Sequence, residues 1–108
     1  MIMKEITDGL KNLLLDNHYN PVTIQFYERE WKKIQSFLLT EYGDEGFDME
    51  RGLTYLEKQY GFQTRYNDGT LSQQRVQLLR VVHMLEDYRL HQVLTRRYYA
   101  SKNPIRLN

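Results

Sequence analysis

Three long polar side chains, Gln73, Gln77 and Arg80, recur at helical spacing in the stretch LSQQRVQLLRVVHMLEDYRLH, residues 71–91, which also contains Arg75. On a helical wheel Gln73, Gln77 and Arg80 share one side, and Arg75 lies near the other edge of the apolar stripe. Amide and guanidinium groups carry forked hydrogen-bond donors, which suit phosphates and the edges of bases. The stretch is therefore a candidate nucleic-acid-binding helix, and a solvated helix face is the structural alternative.

The apolar residues of this stretch predict an amphipathic helix. One stripe faces a core and consists of Leu71, Leu78, Val81, Val82, Leu85 and Tyr88. Val76 and Leu79 fall outside that stripe, so we expect them to point outward. An outward apolar pair of this kind could dock a partner helix, which makes a protein-interaction module the alternative function.

Groups suited to catalysis or metal binding are sparse. His18, His83 and His91 are dispersed, and the chain has no HExxH pair, glycine-rich phosphate loop or GxSxG elbow. The absence of cysteine excludes disulfides, thiolate metal sites and a cysteine nucleophile. We therefore expect no enzymatic activity from this chain, and no cofactor or metal.

Four helices and an all-α fold are predicted to position these groups. Asn20 followed by Pro21 is typical of a helix start, and Asp48 and Gly61 are suited to the start and end of another helix. Residues 62–69 are expected to form a loop, and Thr70 with Gln73 fits a capping box. The predicted helices span residues 3–17, 21–42, 49–60 and 71–91.

The second predicted helix has a clear division between apolar and polar sides. Its buried stripe is expected to contain Ile24, Tyr27, Trp31, Ile34 and Leu38. Trp31 lies in the middle of this stripe, which favours a core position over ligand stacking. The opposite side carries Gln25, Arg29, Lys32, Lys33 and Ser36, with Glu28 interleaved, and is typical of a solvated face.

The 108 residues fit a single domain whose charge is distributed unevenly. Residues 1–61 hold 7 basic and 11 acidic side chains, whereas residues 62–108 hold 8 basic and 3 acidic ones. A net charge of +5 on the C-terminal part indicates an anionic partner. The N-terminal stretch has neither a secretory signal nor a membrane span, so we expect a cytoplasmic protein with no membrane partner.

Double-stranded DNA fits these features as the partner. The start of the last predicted helix carries Ser72, Gln73 and Arg75 at the positive end of the helix dipole. A helix start of this kind can enter a major groove, while Thr23 and Arg29 on the second helix contact the phosphate backbone.

Several segments of the chain resemble the core-binding domain of tyrosine recombinases, the phage-type integrases. The run YNPVTIQFYEREWKKIQSFL is similar to the opening of that domain, with Thr23, Tyr27 and Arg29 matching its pattern. The segments FDMERGLTYLEKQYGF and LSQQRVQLLRVVHMLEDYRLHQVLTRR resemble later helices in integrases of Gram-positive mobile elements. Asn103 and Pro104 are similar to the Asn-Pro that commonly precedes the catalytic domain.

The resemblance implies a four-helix SAM-like bundle that binds a recombination half-site together with a separate catalytic domain. It implicates Thr23, Tyr27, Arg29, Ser72, Gln73, Arg75 and Arg80 in DNA binding. Wheel position adds Lys33 and Gln77. Residues 1–95 would form the DNA-binding domain and 96–108 a basic tail leading to the catalytic domain.

The family's catalytic Arg, His and Tyr belong downstream of the Asn-Pro, and this chain ends four residues after Pro104. The resemblance therefore implies a part of a recombinase that binds DNA at the nucleoid but does not cleave it. Its expected partners are DNA, the downstream catalytic domain and other recombinase protomers on the same site.

Overall fold

A computed structural model of the protein describes residues 1–94, and the regular structure in that range is helical. Its helices are α1 (Met3–Asp16), α2 (Pro21–Tyr42), α3 (Met49–Tyr60), α4 (Phe62–Asn67) and α5 (Gln73–His91). The predicted all-α class is confirmed. The predicted basic tail lies outside the described residues, as do the side chains of Gln73 and Gln74.

The predicted ends of α2 and α3 are confirmed by their capping contacts. The Asn20 side chain accepts a hydrogen bond from the Val22 backbone N–H at 2.8 Å, and Pro21 is the first helical residue. Asp48 caps α3 in the same way, accepting from the Arg51 N–H at 2.8 Å. Gly61 ends α3 with a φ of 58°, a left-handed conformation that favours glycine.

Helix α5 lies at the centre of the bundle and packs against α1, α2 and α3. Its buried side chains are Val76, Leu78, Leu79, Val81, Val82, Met84 and Leu85. At 100° per residue these positions point to every side of the helix. The predicted outward orientation of Val76 and Leu79 is wrong, since they are only 9% and 1% exposed. A helix enclosed by three others needs apolar residues all round, not along one stripe.

Two glycines allow α1 and α3 to approach α5 closely. A Cβ atom added to Gly9 of α1 would lie 1.8 Å from the Tyr88 hydroxyl, and one added to Gly52 of α3 would lie 2.6 Å from Val82 Cγ1.

The predicted buried stripe of α2 is confirmed around the same core, with Trp31 only 4% exposed. Because this stripe is buried, the opposite, polar side of α2 faces outward, and α2 packs beside α3.

The short helix α4 occupies the segment that was predicted to be a loop. Phe62 is fully buried, which anchors the segment to the core. The Glu57 carboxylate accepts hydrogen bonds from the Gln63 backbone N–H at 2.7 Å and from the Thr64 hydroxyl at 2.9 Å. These contacts satisfy donors at the start of α4, so a segment with polar turn residues becomes helical.

The start of α5 also differs from the prediction. Ser72, and not Thr70, is the N-cap residue, and its hydroxyl accepts a hydrogen bond from the Arg75 backbone N–H at 3.2 Å. Leu71 precedes the helix and packs against the core. The predicted capping box of Thr70 with Gln73 is therefore wrong, because the helix starts two residues later than predicted.

The loop between α2 and α3 is joined to the N-terminus and to α3. Ile2 pairs with Gly46 in an isolated antiparallel bridge. Asp44 accepts hydrogen bonds from the Gly46 N–H at 2.8 Å and from an Arg51 guanidinium nitrogen at 2.7 Å. These contacts hold the start of α3 beside α1. Within residues 1–94, no helix has the length and apolar character needed to cross a membrane.

Candidate nucleic-acid interface

The exposed side of α2 carries a row of cations. Arg29, Lys32 and Lys33 are all exposed, and Arg29 lies one helical turn before the two lysines. Lys33 pairs with Glu30 at 3.3 Å. Among the described residues, no carboxylate lies within 4.0 Å of the charged groups of Arg29 or Lys32. Two of these three cations are therefore available to an external anion.

A groove of about 680 Å³ runs between α2 and α3 at the end of this row. Its lining residues are Lys32, Lys33, Ser36, Phe37, Thr40 and Glu41 from α2, and Tyr55, Lys58, Gln59 and Tyr60 from α3. The rings of Phe37 and Tyr55 meet edge to face, with centroids 5.4 Å apart. The groove thus combines an aromatic floor with lysines and hydroxyl groups.

The start of α5 reaches the same groove through Tyr60. The Arg75 guanidinium lies over the Tyr60 ring, 5.1 Å from its centroid, and has no carboxylate partner in the described part of the chain. Arg65 donates a hydrogen bond from Nε to the Tyr60 carbonyl oxygen at 3.0 Å. We call the surface formed by Arg29, Lys32, Lys33, Lys58 and Arg75 the basic face.

Tyr27 and Arg80, two further predicted site residues, lie together at the interface of α2 and α5. Tyr27 is 6% exposed and stacks on Trp31 with centroids 6.3 Å apart. Burial raises the pKa of Tyr27, and the nearby positive charge of Arg80 opposes that rise. Arg80 Nε is buried and has no hydrogen-bond partner among the described residues. Packing accounts for Tyr27 better than contact with an external ligand.

The remaining predicted residues are separate from the basic face or have another role. Thr23 is half-buried in the first turn of α2, four residues before Tyr27. The Ser72 hydroxyl caps α5, and Gln77 is exposed on α5. The Gln73 side chain lies outside the described residues. Of the predicted residues, Arg29 and Lys33 thus share the exposed side of α2, and Arg75 lies over Tyr60, which lines the same groove as Lys33.

Buried polar groups lie directly beneath the basic face. Glu30 is 7% exposed, and one of its carboxylate oxygens has no hydrogen-bond partner among residues 1–94. Burial raises the pKa of Tyr55, and a hydrogen bond with Tyr60 and the charge of Glu30 raise it further. Tyr55 is thus a neutral hydroxyl in the groove floor across the ordinary pH range.

Three residues of the basic face and the adjoining groove are not among the predicted site residues. Lys32 lies on the polar side of α2, where its position was recognised but its proximity to α3 was not. Lys58 and Tyr60 belong to α3, for which no functional pattern was recognised. Their proximity to α2 and α5 depends on tertiary packing, so helical periodicity alone could not have identified them.

Comparison of the chain with known protein families, curated proteins and solved structures found no match. In the part of the chain that the structure describes, there is no cluster of three or more acidic or histidine side chains able to hold a metal ion.

Proposed function

We propose that the chain is a DNA-binding domain that contacts double-stranded DNA through the basic face. The observation that carries this proposal is that Arg29 and Lys32 on the exposed side of α2, and Arg75 over Tyr60 in the groove that Lys32 lines, have no carboxylate partner among the described residues. Unpaired cations on one surface favour the phosphate backbone, because binding releases counterions from the DNA.

Cations elsewhere on the described chain are less suited to bind DNA. Residues 1–94 carry 11 basic and 14 acidic side chains, a net charge of −3, so attraction of a polyanion to them depends on local clusters of cations. Many of the other cations are paired with carboxylates, for example Lys4 with Asp8 and Arg89 with Glu86. The proposed orientation therefore has the basic face toward the phosphates.

The family resemblance extends the proposal to DNA recombination. In this proposal the helices form a SAM-like bundle that binds a recombination half-site in the bacterial cytoplasm, at the nucleoid. Catalysis would belong to a downstream domain of the same parent protein, and further recombinase protomers would bind neighbouring half-sites. Thr23, Ser72, Gln73, Gln77 and Arg80 remain predicted contacts, of which Ser72 and Gln77 are exposed.

A protein-interaction module was the alternative function, and it depended on an outward patch of Val76 and Leu79. Both side chains are buried in the core, so that patch does not exist on the described surface. DNA binding is therefore the better-supported function.

The experiment that tests the proposal measures the affinity of the chain for a duplex at increasing salt concentration. Each phosphate contact contributes about 1 to the slope of log affinity against log salt. We expect Arg29→Ala and Arg75→Ala each to weaken binding and to reduce the slope by about 1. Arg89→Ala is the control, because it removes the same charge about 20 Å away along α5. A duplex affinity that changes neither with salt concentration nor with either substitution would contradict the proposal.

A further inference from the structure

In the groove between α2 and α3, a carboxylate of the chain itself already binds one of the lysines. Glu41 Oε1 is hydrogen-bonded to the Lys58 ammonium group across the groove. Both side chains remain accessible, at 35% and 51% exposure. The neighbouring Lys32 has no carboxylate partner among the described residues. The groove therefore has one available lysine beside another that is held by a carboxylate of the same chain.

From this arrangement we infer that the α2–α3 groove is a phosphate site, in which a phosphodiester of the nucleic-acid backbone displaces Glu41 from Lys58. Lys32 and Lys58 come from opposite walls and supply the charge. Ser36 and Thr40 lie on the same wall as Lys32 and supply hydroxyl donors. The inference rests on the proposed DNA binding and assigns to that surface a specific contact point.

Displacement of Glu41 is energetically accessible. An exposed lysine–carboxylate pair contributes little to stability, because water and salt screen the attraction. A phosphodiester in the groove offers Lys58 an equivalent negative charge and adds a second contact with Lys32. Glu41 therefore acts as a local inhibitor that weakens DNA binding without blocking the groove.

This role predicts that removal of a single carboxylate strengthens binding. We expect Glu41→Gln to tighten binding of a 20-base-pair duplex about two- to fivefold, the range that corresponds to loss of one exposed ion pair. Glu50→Gln is the matched control, since it makes the same charge change at the exposed start of α3. The control should have much the smaller effect, because Glu50 lies about 12 Å along the helix from Lys58.

A second variant tests the cation itself. Lys58→Ala should weaken duplex binding and lower the salt slope by about 1, and Glu41→Gln should no longer tighten binding in the Lys58→Ala background. Equal effects of Glu41→Gln and Glu50→Gln, or a benefit of Glu41→Gln that survives the loss of Lys58, would overturn the inference.

The two proposals fail in different ways in this experiment. Salt-dependent binding by the unaltered protein, with affinity insensitive to changes at Glu41 and Lys58, would overturn the groove inference and leave DNA binding intact. No duplex binding by the unaltered protein would overturn the proposed function, and the groove inference with it.

Discussion

Gly52 of α3 lies directly against Val82 of α5, so that a Cβ atom at position 52 would stand only 2.6 Å from Val82 Cγ1. Phe47 closes the other side of this contact, at 3.1 Å from the same position. Gly52 and Val82 are both buried. The approach of α3 to the central helix therefore depends on the absence of a side chain.

Gly52→Ala should destabilise the protein, although alanine is the better helix former by about 1 kcal/mol. Overpacking a buried contact costs about 1–3 kcal/mol, and Val82 has no exposed space into which it can move. Urea denaturation would measure the free energy of unfolding. The cost of Gly52→Ala should be smaller in a Val82→Ala background, which provides room for the new methyl group. A single Gly52→Ala variant more stable than the natural protein would contradict this account.

The burial of Leu79 can be tested against another leucine of the same helix. Leu79 is 1% exposed and Leu90 is 54% exposed. Leu79→Ala should lower the free energy of unfolding by about 2–5 kcal/mol, because it leaves a cavity in the core. Leu90→Ala should change it by less than about 0.5 kcal/mol. Similar small effects at both positions would indicate that Leu79 faces solvent after all.

Asp44 should make the protein more sensitive to acid. Its hydrogen bonds with Arg51 and the Gly46 N–H lower the pKa of the Asp44 carboxyl below its ordinary value of 3.8. The carboxylate therefore contributes stability above pH 3.8, and this contribution is lost as the pH falls through the lowered pKa of the folded state. Asp44→Asn should remove that part of the acid dependence in pH-dependent unfolding. If the free energy of unfolding changed with pH in the same way in the natural protein and in Asp44→Asn, this role of Asp44 would be contradicted.

Tyr60 should affect DNA binding through Arg75, whose guanidinium lies over the tyrosine ring. An aromatic face restricts the motion of a guanidinium without neutralising its charge. Tyr60→Phe keeps the ring and should leave duplex affinity nearly unchanged, whereas Tyr60→Leu should weaken it about twofold, corresponding to an exposed cation–π contact. Circular dichroism would establish that both variants are folded. Equal affinity of the two variants for the duplex would show that the Tyr60 ring does not contribute to DNA binding through Arg75.

Local chemistry was sufficient to predict much of the fold. Asn20 with Pro21, Asp48 and Gly61 are capping residues whose effect depends on their immediate neighbours. Helix α2 begins, and α3 begins and ends, where those residues predicted. The helix α4 was missed because it depends on the burial of Phe62 and on Glu57, whose carboxylate reaches the start of α4 from the preceding helix. Such a contact is not apparent from periodicity.

The candidate site was harder to predict because α5 is surrounded by other helices. A single-stripe interpretation of residues 71–91 left Val76 and Leu79 outside, and the structure places both in the core. Arg75 is a predicted site residue, but its position beside the α2–α3 groove follows from the packing of its guanidinium over Tyr60 and not from the sequence of α5. Polar residues on one helix can be recognised from sequence, but a surface formed by three helices depends on how they pack.

The central claim is tested most directly by mapping backbone amide chemical shifts of the whole chain during titration with duplex DNA. Binding through the basic face predicts that the largest changes occur around Arg29, Lys33, Lys58 and Arg75, and that they diminish as salt is added. Changes concentrated on α1, or no changes at all at a duplex concentration well above that of the protein, would contradict the account.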